Sequence, residues 1–379
     1  MEKIEIIELE NEKSINDENI ISDSNIINPF STKDIKVTNA TIALSSLISR
    51  LEYNEIDLNP DFQRNDNLWD RKKMSRLIES ILLKLPLPVF YFDVTDPSKW
   101  IVVDGLQRLS TLKKFIVDKK LKLYNLEFLT QLNDKKYEDL DRSLKRVIDE
   151  TQIVTYQIEA QTPKEVRYSI FNRINTGGLS LNAQEIRQAL NQKGEGVNFL
   201  KEICENDIFK KVVGISSQRM ADRELALRFI AFKLTHYTEF KVVDMGSFLD
   251  NAMDMLDKIN DLSLLDKIKN DLFDSLIFSE KILGKNHRFS RSLAIEEKTR
   301  TLNRSLFDVI SVCFSEIEDK NKFLLQKEKF VNKFKNLLLN QQGEFSKSIT
   351  EGTSGKSVVE TRFRIMNQLI NEVLNDKNQ

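Results

Sequence analysis

Residues 100–112 read Trp-Ile-Val-Val-Asp-Gly-Leu-Gln-Arg-Leu-Ser-Thr-Leu, and this stretch decides how the first half of the chain folds. The apolar run that ends at Asp104 is typical of a buried strand, whereas Leu109, Leu112 and Ile116 return at the spacing of a helix. Gly105 stands between the two patterns, and glycine permits the backbone angles that a tight turn needs. The sequence therefore predicts a strand, a turn and a helix, with Asp104 closing the strand.

A turn from a strand into a helix is a natural place to bind an anion, because the first N–H groups of a helix have no partner within it. Arg108 can add a bidentate contact to a phosphate, and Gln107 can both donate and accept hydrogen bonds. Ser110 and Thr111 add hydroxyl groups in the first turn. The sequence predicts that this turn holds a phosphate-bearing ligand.

Asp104 is the unusual member of this set, because a carboxylate beside a phosphate is unfavourable. Its presence is explained if the carboxylate binds a divalent metal, holds Arg108 or activates a water molecule. A second interpretation stays open: Asp104 caps the helix and pairs with Arg108 at the surface, with no ligand involved.

The flanking sequence predicts further helices. Helical spacing runs over residues 41–51 and again over residues 74–85, where Asp70 is placed to cap the helix. A charged helix is expected over residues 134–149. Asn182 and Glu185 form a capping-box pattern at the start of another helix.

Strand patterns complete a small α+β domain. Residues 89–94 and 100–104 predict two strands that can form a hairpin, and residues 151–160 predict a third. Beyond about residue 196 the strand patterns disappear, and amphipathic helices follow one another. We therefore expect an α+β domain over residues 37–195 and an all-α helical domain over residues 196–379.

Residues 1–36 are rich in acidic and small polar side chains and have no sustained amphipathic period. This composition predicts an acidic, flexible arm. Such an arm can shield a basic surface, although a solvated tail is the simpler interpretation.

Composition excludes several classes of protein. The chain has 379 residues, 40% hydrophobic and 30% charged, which fits a helix-rich globular protein. No apolar run approaches the roughly 20 residues that span a bilayer, and the acidic N-terminus lacks the basic flank of a secretory signal. We expect a cytoplasmic protein with no membrane contact. With 57 basic and 58 acidic residues, binding to a polyanion requires a local basic patch.

The clearest basic patch lies between residues 281 and 304, where Lys and Arg surround Phe289. On one surface, these side chains would neutralise DNA phosphates and bind DNA without sequence preference. The alternative is a solvated helix face balanced by nearby acids. The predicted DNA-binding residues are Lys285, Arg288, Arg291, Arg300 and Arg304.

Three segments resemble the GmrS-type domain of the GmrSD and SspE restriction proteins, which act against phage DNA. They are NPDFQRNDNLWDRKKMSRLIESILLKLPLPVFYF (59–92), WIVVDGLQRLSTLKKF (100–115) and IFNRINTGGLSLNAQEIRQAL (170–190). The resemblance covers residues from about 40 to 195 and implies a ParB/sulfiredoxin-like fold with a small mixed sheet. The helical region beyond resembles the family more weakly.

The hallmark of that family is an Asp-Gly-Gln-Gln-Arg motif tied to nucleotide binding and hydrolysis. Residues 104–108 match it, with Leu106 where the first Gln usually stands. The resemblance therefore implies a nucleoside triphosphate ligand, with Mg²⁺ or another divalent metal at Asp104. Asp104, Gln107 and Arg108 are the implied catalytic residues.

The resemblance also adds residues outside the turn. Gln63 and Arg64 match a Gln-Arg pair of the family, and Arg64 could reach the phosphate from the other side or pair with a neighbouring Asp at the surface. Asn175 precedes a double-glycine turn and is a candidate ligand contact, although Gly177 fits ordinary helix capping. The predicted nucleotide-binding residues are Gln63, Arg64, Asp104, Gly105, Gln107, Arg108, Ser110, Thr111 and Asn175.

Two functions from different classes follow, and a structural interaction protein with a degenerate site is a third. The first is a nucleoside triphosphatase in an anti-phage restriction system that senses or acts on DNA, with a separate nuclease or defence subunit as a partner. Relatives usually carry an HNH nuclease domain, but His236 and His287 stand outside any such motif, so no HNH nuclease is predicted. The second is a non-catalytic DNA-binding or adaptor module whose ParB-like fold only positions partners.

Overall fold

The computed structural model describes residues 8–10, 35–58, 69–174, 182–191, 194–215, 217–240, 244–294 and 301–375. The chain divides into two compact units, one formed by Ile27–Leu190 and the other by Met1–Ile26 together with Asn191–Gln379. This division falls shortly before the domain boundary that the sequence predicts after residue 195. Among the described residues, no helix is long and apolar enough to cross a membrane.

The first unit is built on a mixed sheet of five strands. The strands described in the whole chain are β1 (Glu8–Leu9), β2 (Val37–Ala43), β3 (Ile56–Asp57), β4 (Phe90–Asp93), β5 (Trp100–Asp104), β6 (Gln152–Ile158) and β7 (Thr301–Leu302). The sheet has the order β2-β6-β4-β5-β3. Strands β2 and β6 are antiparallel, as are β4 and β5, whereas β4 runs parallel to β6 and β3 parallel to β5. The predicted small mixed sheet is confirmed, including the hairpin of β4 and β5.

Six longer helices belong to this unit: α1 (Leu44–Glu52), α2 (Arg71–Leu82), α3 (Leu106–Leu112), α4 (Arg142–Glu150), α5 (Lys164–Ile174) and α6 (Ala183–Leu190). Two of the predicted caps are confirmed. The Asp70 carboxylate accepts a hydrogen bond from the Lys73 N–H at 2.7 Å. Asn182 and Glu185 form a reciprocal capping box at 2.7 and 2.8 Å.

Two local predictions are wrong. Residues 41–43, which we expected to be helical, continue strand β2, because their backbone pairs with β6 from Thr41 opposite Val154 onward. The charged helix expected over residues 134–149 begins only at Arg142, where the Asp141 carboxylate caps it through the Leu144 N–H at 2.9 Å. Strand pairing sets where α1 begins, and the Asp141 cap sets where α4 begins. The spacing of apolar residues does not set either boundary.

Strand β5 is covered on both faces of the sheet. Val102 packs in the core that contains the buried residues of α1, α2 and α3, whereas Val103 packs with Phe171 and Ile186 from α5 and α6. Adjacent residues face opposite sides because side chains alternate along a strand. The end of β5, where Asp104 lies, is therefore fixed from both sides.

In its described residues the second unit is helical, as predicted, apart from the short pair of strands β1 and β7. Its longer helices are α7 (Glu195–Glu205), α8 (Asp207–Val213), α9 (Ala221–Leu234), α10 (Met245–Leu256), α11 (Leu262–Leu283), α12 (Arg304–Ser315), α13 (Lys320–Leu325), α14 (Lys327–Leu339), α15 (Glu344–Ser348) and α16 (Lys356–Asn375). They enclose one large apolar core.

Part of the predicted flexible arm is ordered in this unit. Strand β1 pairs in parallel with β7, with Glu8 opposite Thr301 and Leu9 opposite Leu302. The Glu10 N–H also donates to the Leu302 carbonyl at 2.8 Å. Residues 8–10 are therefore held by β7, whose edge supplies backbone partners that the sequence does not reveal, and the flexible arm over residues 1–36 stays a prediction.

Candidate functional site

The predicted turn is present between β5 and α3. Gly105 has a φ of 102°, in the region that favours glycine, and α3 begins at the next residue. A Cβ atom on Gly105 would lie 2.4 Å from Cδ1 of Phe90 and 3.3 Å from a guanidinium nitrogen of Arg108. Both the backbone angle and the surrounding space therefore require glycine here.

Arg108 lies beneath this turn, and only 9% of its side chain is exposed. Its guanidinium donates to the carbonyl oxygens of Pro88 and Val89 and to Oδ2 of Asp104, the last two at 3.0 and 2.9 Å. It also stacks over the Phe90 ring, with its central carbon 4.2 Å from the ring centroid. Burial lowers the pKa of Arg108, and the nearby Asp104 carboxylate opposes that shift.

Asp104 is much more exposed than its partner, with 43% of its side chain accessible. Among the residues that the structure describes, Arg108 is the ion-pair partner of Asp104, and it engages the Oδ2 atom. One sequence interpretation paired Arg108 with Asp104 at the surface, and the other had Arg108 contact a phosphate. The ion pair exists, but Arg108 is an interior residue that holds an outward-facing carboxylate.

Gln107 connects the turn to the start of helix α2. Its Oε1 atom accepts a hydrogen bond from the Trp69 N–H at 3.1 Å. Ser110 and Thr111, which we predicted to face a ligand, are instead buried, at 8% and 1% exposure. The Thr111 hydroxyl donates to the Gln107 carbonyl at 2.8 Å within the helix. Both residues lie on the inner face of α3, and their contact with a ligand stays a prediction.

Gln63, Arg64 and Asn175 lie outside the described residues. Two described residues on either side of these segments, Trp69 and Ile174, contact residues near the turn. Trp69, which follows the segment with Gln63 and Arg64, bonds to Gln107. Ile174, which precedes Asn175, packs against the apolar cluster that contains Val103.

Sequence reasoning missed the residues that hold Arg108 from the opposite side. Pro88, Val89 and Phe90 supply two carbonyl oxygens and an aromatic ring to one guanidinium. Backbone carbonyls leave no residue-specific signal in a sequence. The chain entering β4 could have been suspected only from the expected hairpin, which brings residues 88–90 alongside the end of β5.

Three of the five residues predicted to bind DNA have partners within the second unit. Arg288 is only 1% exposed and donates to the carbonyls of Val212, Lys285 and Lys211, the last at 2.9 Å. Its predicted position on an exposed basic surface is therefore wrong, because its guanidinium is needed to satisfy buried carbonyl groups. Burial lowers its pKa, and Glu280 opposes that shift.

The other predicted DNA contacts differ among themselves. Arg291 forms an ion pair with Glu10, and Arg304 donates to Glu224 at 3.1 Å. Lys285 is exposed. Arg300 lies outside the described residues. DNA binding by the residues other than Arg288 stays a prediction.

The fold and the turn together define an α+β domain with an Asp-Gly-Leu-Gln-Arg turn, joined in one chain to a helical unit. Residues 44–192 match the family model of the GmrSD restriction endonuclease, N-terminal domain. The match supports the resemblance to a GmrSD-type N-terminal domain over these residues. No curated protein and no solved structure gives a significant match to the chain.

Proposed function

We propose that this chain is a restriction-related protein that senses or acts on DNA, and that its N-terminal domain binds a nucleoside triphosphate with Mg²⁺ at the Gly105 turn. The observation that carries the proposal is the outward-facing Asp104 carboxylate, held by a buried Arg108, in a domain that matches the GmrSD family model. The ParB/sulfiredoxin-like assignment of the domain, which the resemblance implied, belongs to the same proposal.

The donor set at the turn suits Mg²⁺ bound together with a phosphate. Mg²⁺ in nucleotide sites commonly takes one or two carboxylates, and phosphate oxygens and water complete its coordination. Among the described residues, no three His, Cys, Asp or Glu side chains converge to form a metal site by themselves. Asp104 would therefore supply one protein carboxylate to the Mg²⁺ ion, and phosphate oxygens and water would complete the coordination. The metal would neutralise part of the phosphate charge.

In this proposal Asp104 and Gln107 are the catalytic residues and Arg108 is a positioning residue. The Arg108 guanidinium already donates to two carbonyls and to Asp104, so its main effect on a ligand is to fix where the carboxylate points. Gln63, Arg64 and Asn175 remain the proposed phosphate contacts. Leu106 packs against the apolar core and has no polar side-chain atom, so hydrolysis would have to proceed without the family's first Gln.

Asp104→Asn tests this function, because it removes the charge but keeps nearly the same shape. We expect Mg²⁺-dependent phosphate release to disappear while calorimetric nucleotide binding persists. The matched control is Asp134→Asn, which removes a surface carboxylate that pairs with Arg71 and should leave turnover unchanged. Each nucleoside triphosphate is assayed with and without DNA. Normal turnover in the Asp104 variant would leave that residue a structural partner of Arg108.

One observation favours a second function, the non-catalytic DNA-binding or adaptor module. Both terminal nitrogens of the Arg108 guanidinium donate hydrogen bonds within the domain, so the Asp104–Arg108 pair can serve the fold without any ligand. In that case no nucleoside triphosphate should bind to the unmodified protein with or without Mg²⁺. A separate nuclease or defence subunit is a proposed partner under either function.

A further inference from the structure

We propose that the helical unit contains a binding site for an extended, acidic peptide strand, and that the protein's own N-terminal strand fills this site as a removable plug. The site is formed by the edge of β7 and by the side chains of Arg291, Asn303 and Arg304. The ligand class is a short peptide segment in which a Leu is followed by a Glu. The proposal is independent of nucleotide binding.

The backbone of the plug is recognised as an added strand. Residues 8 and 9 pair with residues 301 and 302 in parallel register, and the Glu10 N–H extends the pairing to Leu302 at 2.8 Å. Leu9 packs against the apolar core of the unit and anchors the strand. Main-chain pairing with a side-chain anchor is a common mode of peptide recognition.

The Glu10 carboxylate is recognised specifically. Arg291 forms an ion pair with Oε1, and the Asn303 Nδ2 group donates to Oε2 at 2.8 Å. Arg304 donates to the main-chain carbonyl of Glu10 at 3.4 Å. An apolar residue in place of Glu10 would leave the Arg291 charge and the buried Asn303 amide without these partners, and Gln would remove the charge that Arg291 pairs with.

The recognition groups are held in place by partners other than β1. Asn303 is only 4% exposed, its Oδ1 caps α12 through the Leu306 N–H at 2.9 Å, and its Nδ2 also donates to Ile349. These contacts fix the amide so that a donor faces the Glu10 position. Arg304 is held by Glu224 at 3.1 Å. A site that is organised without its occupant loses little freedom when a peptide binds.

Within the described residues 8–10, the plug is a short strand. Its backbone pairing covers two residues, and a strand of that length opens far more easily than the helices of the core. A partner strand of the same chemistry can therefore compete with it. The competition is set by the effective concentration of the tethered N-terminus and by its affinity for the site, and a substitution in the plug lowers that affinity.

The test uses the full-length protein and a fluorescent peptide of residues 4–12, with binding followed by anisotropy. Glu10→Gln in the protein weakens the plug, so the peptide should bind roughly tenfold more tightly to this variant than to the unmodified protein. Glu318→Gln is the control, since it removes one exposed carboxylate of the same unit, and it should leave peptide affinity at the unmodified level. The same peptide with Glu10→Gln should lose most of its affinity.

A second variant separates recognition from a general effect on folding. Arg291→Gln combined with Glu10→Gln should abolish the increase in peptide affinity while the thermal unfolding of the protein stays cooperative. If the peptide binds the Glu10→Gln protein no better than the unmodified protein, or binds equally well without its own Glu, the site is not a separable strand receptor.

Discussion

The Arg108 guanidinium donates to Oδ2 of Asp104 at 2.9 Å. Only 9% of the Arg108 side chain is exposed, whereas 43% of the Asp104 side chain is exposed. The pair therefore joins the interior of the N-terminal unit to its surface. The inner partner is fixed by two carbonyl oxygens and an aromatic ring, so the outer carboxylate has a defined direction. A structural role for Arg108 and a functional role for Asp104 are compatible in this arrangement.

Arg108→Lys should destabilise the protein by about 2–3 kcal/mol, because a lysine ammonium lacks the planar fork that serves two carbonyls and a carboxylate together. Urea unfolding measures the change. The control Arg76→Lys alters an exposed ion pair with Glu127 and should cost no more than about 1 kcal/mol. Equal effects at the two positions would contradict the interior role of Arg108.

Gly105→Ala should destabilise the protein by about 2–4 kcal/mol, since it combines an unfavourable positive φ with a Cβ placed against the Phe90 ring. Gly352 is the comparison position, because its φ is also positive, at 54°, but nothing lies within 4 Å of its added Cβ. Gly352→Ala should therefore show the cost of a positive φ without a steric clash. Thermal unfolding compares the two variants, and a Gly105 variant no less stable than the Gly352 variant would mean that the Phe90 ring moves aside without cost.

Glu79 offers a test of pH dependence. Its carboxylate is 3% exposed and accepts hydrogen bonds from the N–H groups of Glu127, Phe128 and Leu129 at 3.0, 2.7 and 2.8 Å. Burial by itself would raise the pKa of Glu79, but these backbone hydrogen bonds outweigh burial and lower it. A lowered pKa in the folded state means that the charged form stabilises the fold, and that this contribution is lost as the pH falls through the folded pKa.

Glu79→Gln should therefore cost about 2–3 kcal/mol of unfolding free energy near neutral pH. The difference from the unmodified protein should shrink as the medium is made more acidic, because the native carboxylate then becomes protonated as well. Urea unfolding across a pH series measures both effects. Glu138→Gln, at an exposed residue that pairs with Lys119, is the control and should show a much smaller change. A pH-independent cost at Glu79 would mean that shape, not charge, sets its contribution.

Much of the N-terminal unit could be predicted from local sequence patterns. Strand β5, the turn at Gly105, the cap at Asp70 and the capping box at Asn182 all depend on residues close together in the chain, and each was predicted correctly. Such features are local because the hydrogen bonds that define them join neighbouring residues.

The features that could not be predicted depend on distant partners. Strand β2 takes its conformation from pairing with β6, and its alternation of apolar and polar residues is too weak to show this. Arg288 was expected at the surface because a basic residue usually lies there. Its burial follows from carbonyl groups on α8, which lies 75 or more residues earlier in the sequence. The position of Glu10 beside Arg291 is non-local in the same way.

The last prediction concerns DNA and joins the two proposals. Glu10 engages both Arg291 and Arg304, so the plug occupies two of the residues proposed to contact phosphates. If these arginines bind DNA, full-length Glu10→Gln should bind DNA more tightly than the unmodified protein. The slope of log affinity against log salt should steepen by about 0.9 for each additional DNA phosphate that the protein neutralises.

Arg291→Gln and Arg304→Gln, introduced together into the Glu10→Gln protein, should return the salt slope to its original value. The change should be nearly the same for unrelated DNA sequences, because phosphate contacts carry little base information. Anisotropy with labelled duplexes over a range of salt concentrations gives the slopes, and Glu318→Gln is again the control. A slope that stays unchanged in Glu10→Gln would show that these arginines do not bind DNA, whereas the peptide experiment would still decide separately whether the strand site exists.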